Sequence, residues 1–159
     1  MDESDEVVRE VARDYVTELA PEELPLFRPI SDAYLRDPGR PLDPRGDGDE
    51  VLGFGMDAAV VLMTPIVLAV VHDVVLRVRA QLVDQLAEQG GDVVERWLHR
   101  LFRGAGPAAG AKIPALSPAQ LAEVRQLAYD GALKGGISEK RASSLADWLT
   151  ARLAMQAAT

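Results

Sequence analysis

The chain has no cysteine. That removes disulfide staples, thiolate zinc ligands and a cysteine nucleophile at one stroke, and leaves the redox compartment undetermined. Histidine is also scarce, with two among 159 residues, too few to build a metal centre by themselves. Positive charge is short too. The formal net charge is −8, and it is concentrated: residues 1–50 hold 15 acids against 6 bases, whereas residues 104–159 hold 4 against 6. An acidic N-terminal third repels phosphate backbones and anionic lipid at long range, which argues against nucleic acid as the partner. The opening MDESDEVVRE is acidic where a secretory signal is basic, so the expected location is cytoplasmic.

Long uncharged runs are absent with one exception. Residues 58–71 read AAVVLMTPIVLAVV, fourteen positions without a charge in a chain that is 26% charged. A helix that is apolar all round belongs in the centre of a core or in lipid. Asp57 and Asp73 bracket the run sixteen positions apart, which is about 24 Å of helix, short of a hydrocarbon thickness of about 30 Å. Its eight Val, Leu and Ile residues nevertheless contribute roughly −2 to −5 kcal/mol on an insertion scale, enough to offset one acid near an edge. Length points to the core and composition admits the bilayer. In the second case Arg77 and Arg79 hold their side in the cytoplasm.

Around this run the periodicity is helical, and the expected fold is all-α: about six helices, the amphipathic ones packed around one central hydrophobic helix. Val7, Val8, Val11, Ala12, Tyr15, Val16 and Leu19 form the stripe of a first helix, with Asp2, Glu3, Asp5 and Glu6 at its positive end. Pro21, Pro25 and Pro29 oppose a continuous helix, so a short one is expected from Pro29 to Arg36 with Ile30, Ala33 and Tyr34 inward. Residues 37–50, dense in Pro, Gly and Asp, read as a loop. One long helix is expected from Met56 to Gln89, kinked or split at Pro65, with Thr64 satisfying a freed carbonyl. Its Val and Ile content also admits two buried strands about a Thr-Pro turn. A further helix follows Asp92 with Val93, Val94, Trp97, Leu98, Leu101 and Phe102 repeating the spacing of the first helix, and 104–116 reads as a flexible connection between a domain of residues 1–103 and a hairpin of residues 117–159. In the hairpin Ser117, Pro118 and Gln120 form a capping box, Leu116 staples onto Leu121, Gly135 and Gly136 stop the first helix, and Ser138 caps the second.

Each candidate for chemistry has a plainer explanation. Asp43, Asp47, Gly48 and Asp49 resemble part of a calcium loop, but Arg45 and Phe54 stand where ligands are required. Gly53-Phe54-Gly55 lacks the third glycine and preceding strand of a nucleotide loop, and reads as a hinge with Phe54 as an apolar anchor. Glu95 with His99, and His72 with Asp73, each offer two groups and no third. His72 beside Asp73 at the end of an apolar stretch also has the chemistry of a pH sensor. Ala132, Gly136, Ile137, Ser138 and Leu145, with Lys140 and Arg141 beyond the turn, fit part of a helix-turn-helix, yet two bases make no basic footprint. The expectation is therefore a non-enzymatic protein with no catalytic residue, cofactor or metal. Its segment 58–76 is expected to meet a membrane, a protein partner or a second copy through Phe54, Val60, Val61, Leu62, Met63, Ile66, Val67, Leu68, Val70 and Val71. That would place it in the cytoplasm or at the inner face of the cell membrane, peripheral or integral. The competing expectation is a soluble helical adaptor or assembly subunit whose hydrophobic helix is only core.

PEELPLFRPISDAYLRDP, GFGMDAAVVLMTPIVLAVV and SPAQLAEVRQLA together cover about a third of the chain. In these stretches it resembles uncharacterised small helical proteins of high-GC bacteria, a resemblance that implies membrane association and no particular activity. Its layout, amphipathic helices enclosing a hydrophobic one, is also similar to pore-forming colicin and apoptosis-regulator bundles, without any motif of either family.

Overall fold

The computed structural model describes residues 3–38, 62–85, 94, 98, 102 and 116–157, and all regular structure among them is helical. Helix α1 spans Glu3–Leu19, a 3-10 turn spans Pro21–Glu23, α2 spans Leu24–Arg36, α3 spans Met63–Gln85, α4 spans Pro118–Lys134 and α5 spans Glu139–Ala157. Val94, Leu98 and Phe102 are helical and buried at intervals of four, as members of the stripe expected of the helix after Asp92; Val93, Trp97 and Leu101 lie outside the described residues.

The pattern of α1 translates directly into burial. Val7, Val8, Val11, Ala12 and Val16 are fully buried and Tyr15 nearly so, and the helix packs mainly on α3 and more lightly on α2. Arg9 adds an ion pair of 2.7 Å to Asp32 across to α2.

Proline placement differs from the sequence expectation. Helix α2 begins five residues before Pro29, which lies inside it, and Pro25 sits in its first turn, where a missing N–H costs no helical bond. Pro29 does deprive Pro25 of a carbonyl partner. Both prolines are on the exposed face, and the helix continues through Pro29. Ile30 and Tyr34 face the core as expected.

Pro65 likewise neither kinks nor splits α3, because the helix starts at Met63 and places Pro65 in its first turn. The described part of the expected Met56–Gln89 helix is thus shorter at its start, with Leu62 outside the helix; residues 56–61 lie outside the described residues. The two-strand alternative is replaced by helix across Met63–Gln85. Val67, Leu68, Val71, Val74, Val75, Val78 and Leu82 are fully buried, and α3 packs on α1, α2 and α4.

Helices α4 and α5 form an extensively packed hairpin. The Ser117 hydroxyl accepts from the Gln120 N–H at 3.1 Å, and the Gln120 side chain accepts from the Ser117 N–H at 2.9 Å. Ser138 accepts from the Arg141 N–H at 3.2 Å, capping α5. Between the helices Gly136 has a φ of 98°, a left-handed conformation that a side chain would strain. One hydrophobic cluster includes residues of all five helices together with Val94, Leu98 and Phe102.

The close contact of α4 with α3 depends on glycine. A Cβ added to Gly135 would lie 2.8 Å from Ile66 Cγ2 and 2.9 Å from its Cγ1, whereas one on Gly131 would meet Val70 at an ordinary 3.4 Å. Gly135 has a right-handed φ of −70°, so alanine there is conformationally acceptable and ordinarily gains about 0.4–1 kcal/mol. Ile66 is a buried, branched side chain with little freedom to retreat. Overpacking should reverse the sign: Gly135→Ala is expected to destabilise by about 1–3 kcal/mol. Gly131→Ala is expected to be neutral or slightly stabilising, and paired denaturant titrations compare the two.

An alkaline limit arises at α2 and α3. Tyr34 is buried with its ring edge-on to His72, centroids 5.8 Å apart, and burial followed by the nearby Asp73 charge pushes its phenol up from 10.0 to about 12. The folded chain then holds this proton more tightly than the unfolded chain. Tyr34 stabilises the fold below pH 10, and the contribution disappears as pH rises towards 12. Two pKa units correspond to at most about 3 kcal/mol. Denaturation midpoints should fall across that interval, and fall less steeply in Tyr34→Phe.

Candidate functional site

The start of α3 is held by a residue far away in sequence. Both carboxylate oxygens of Glu23, in the 3-10 turn, face the first turn of α3: one accepts from the Met63 N–H at 3.0 Å, the other from the Thr64 N–H and the Thr64 hydroxyl, each at 2.9 Å. Leading N–H groups of a helix have no partner within it, and an anion there also meets the positive end of the macrodipole. Glu23 therefore does for α3 what a local N-cap would do, although both it and Thr64 are buried. Thr64 was expected to serve a carbonyl freed by Pro65; its hydroxyl donates to Glu23 instead.

Beside this cap lies a cavity of about 550 Å³. The end of α1, the 3-10 turn, α2 and the start of α3 contribute Leu19, Ala20, Leu26, Leu62 and Met63, an apolar wall that includes Glu22 and Glu23. The opposite wall comes from the start of α5, with Ser138, Lys140, Arg141 and Ser144, and Tyr15 joins from α1. Leu19 is 52% exposed, an unusual setting for a large aliphatic side chain. Lys140 and Arg141 are exposed and form no ion pair with another described residue. Burial raises the Tyr15 phenol above its usual range, opposed by a hydrogen bond with Ser144 and by the Arg141 charge.

A second polar cluster joins α1 to α5. Trp148 packs edge-on against Tyr15 with centroids 5.2 Å apart, and its indole N–H donates to Glu18 at 2.6 Å. The Arg152 guanidinium lies 5.3 Å from the Trp148 ring centroid, pairs with Asp14 at 2.8 Å and donates to the Phe102 carbonyl at 2.6 Å. These contacts fasten α1 to α5, while Tyr15 also lines the cavity described above and Asp14 and Arg152 line a second, more open one of about 550 Å³ with Glu10 and Arg13.

The expected assembly residues divide. Leu62 and Met63 line the cavity while remaining 3% and 6% exposed, and Ile66, Val67, Leu68, Val70 and Val71 are buried in the core. Phe54, Val60 and Val61 lie outside the described residues, as do the acidic loop with Asp43, Asp47, Gly48 and Asp49, the Gly53-Phe54-Gly55 stretch, and Glu95 with His99. No helix of the described residues is long and apolar enough to cross a membrane, and no group of three metal-binding side chains occurs among them. Glu23 and the α5 wall were missed by sequence reasoning. A glutamate among prolines carries no local sign of capping a helix some forty residues on, and Lys140 with Arg141 were read as a weak DNA-binding feature. Comparisons with protein-family models, with curated proteins and with solved structures found no match.

Proposed function

We propose that this protein is a non-enzymatic helical binding module, in which the hydrophobic helix α3 is the centre of the fold with amphipathic helices around it. Its functional surface is the groove between the starts of α3 and α5. The burial of Val67, Leu68 and Val71 inside α1, α2 and α4 carries this reading. A helix whose apolar side chains already have protein partners gains little by entering lipid, and the Glu23 anchor adds to what insertion would break. The reading takes the adaptor alternative over insertion or assembly through residues 58–76.

Flotation with anionic phospholipid vesicles tests it. The protein should remain in the unbound fraction at neutral and mildly acidic pH with its helical circular dichroism retained. Co-flotation that resists a carbonate wash would restore the membrane reading.

A further inference from the structure

We propose that the groove between the starts of α3 and α5 binds a free amphiphilic carboxylate, with its apolar chain against Leu19, Leu26 and Met63 and its anionic head at Lys140 and Arg141. This deepens the binding-module reading and rests on it. A cavity of about 550 Å³ lies within the size range of small-molecule sites, which are typically apolar with a few convergent polar groups. Here the cations are segregated from the aliphatic side chains: Lys140 and Arg141 come from α5 with Ser138 and Ser144, whereas Leu19, Leu26 and Met63 come from α1, α2 and α3 and share their side of the groove with Glu22, Glu23 and Tyr15. Segregation of that kind suits a ligand with one charged end and one greasy end.

The sign of the charged end follows from which groups are already committed. Glu23 lines the groove, yet its oxygens are occupied by three donors at the start of α3. Lys140 and Arg141 have no ion-pair partner among the described residues, whereas the Ser144 hydroxyl in the same groove is shared with Tyr15. Glu22, exposed on the other wall, is the one described carboxylate lining the groove that is left to oppose an incoming anion. The chain as a whole is acidic, yet Lys140 and Arg141 line the same groove as the exposed Leu19.

Calorimetric titration of the full chain with dodecanoate below its micelle concentration tests the proposal, with dodecanol and dodecyltrimethylammonium as head-group controls and phosphatidylglycerol vesicles as a lipid-surface control. Saturable binding of dodecanoate alone is expected, with amide NMR shifts around Leu19 and Lys140. K140Q/R141Q should weaken it about tenfold or more, and E22Q should tighten it several-fold by removing the opposing charge. Equal binding of all three dodecyl compounds, indifference to E22Q and K140Q/R141Q, or binding to vesicles but not to monomeric dodecanoate would overturn it. Shifts mapping elsewhere would overturn the groove assignment as well, while vesicle flotation judges the core assignment of α3 separately.

Discussion

Val67→Asp should unfold this protein at room temperature. Val67 is fully buried in α3, which packs on α1, α2 and α4, and no described cation stands ready to pair with a carboxylate there. An unpaired buried charge costs about 3–5 kcal/mol, beyond the lost aliphatic contact, against a total stability for a domain of this size of about 5–15 kcal/mol. Helical circular dichroism and the cooperative denaturation transition should be lost together, or the transition should move to very low denaturant. If α3 instead faced lipid, the variant would stay folded in solution and lose only vesicle binding. Leu76→Asp provides the internal control: this side chain on the same helix is 45% exposed, and the substitution should cost less than about 1 kcal/mol.

Glu23→Ala should be the second most damaging change, costing about 2–4 kcal/mol. It removes an acceptor from two N–H groups and one hydroxyl in a buried setting, and unmade bonds to buried donors are penalised more heavily than the mean value of a hydrogen bond suggests. Part of that loss is returned because the carboxylate no longer has to be buried. Glu23→Gln, which retains a single carbonyl acceptor, should fall between Ala and the native residue. Glu22→Ala, one residue earlier and exposed, should change stability by less than about 0.5 kcal/mol. Thermal midpoints rank the four proteins, and a Glu23→Ala variant as stable as Glu22→Ala would remove the capping role.

These expectations mark where the sequence was legible. The stripes of α1, α4 and α5 and the Ser117 capping box depend on residues within a few positions of one another, and local periodicity and capping chemistry report such features well. Helix α2 was harder because whether Pro29 lies on an exposed or a buried face of the helix is a property of tertiary position. The start of α3 was harder still. Its cap comes from a residue 40 and 41 positions away, and nothing near Met63 advertises it. The groove follows the same rule: Leu19 and Lys140 stand more than a hundred positions apart, so neither segment alone suggests a shared wall. The apolar run remained ambiguous for a different reason, since solvent for a hydrophobic helix is decided by what surrounds it and not by its own side chains.

The fastening of α1 to α5 has a consequence for biosynthesis. Glu18 meets Trp148 across 130 positions, and Asp14 meets Arg152 across 138. At translation rates of about 5–20 residues per second, α1 leaves the ribosome on the order of ten seconds before its last partner exists. During that interval α3 can cover part of the valine stripe, but the Tyr15 side must wait for Trp148. Nascent chains stalled before residue 148 should therefore recruit holding chaperones, and release them once the final helix has emerged.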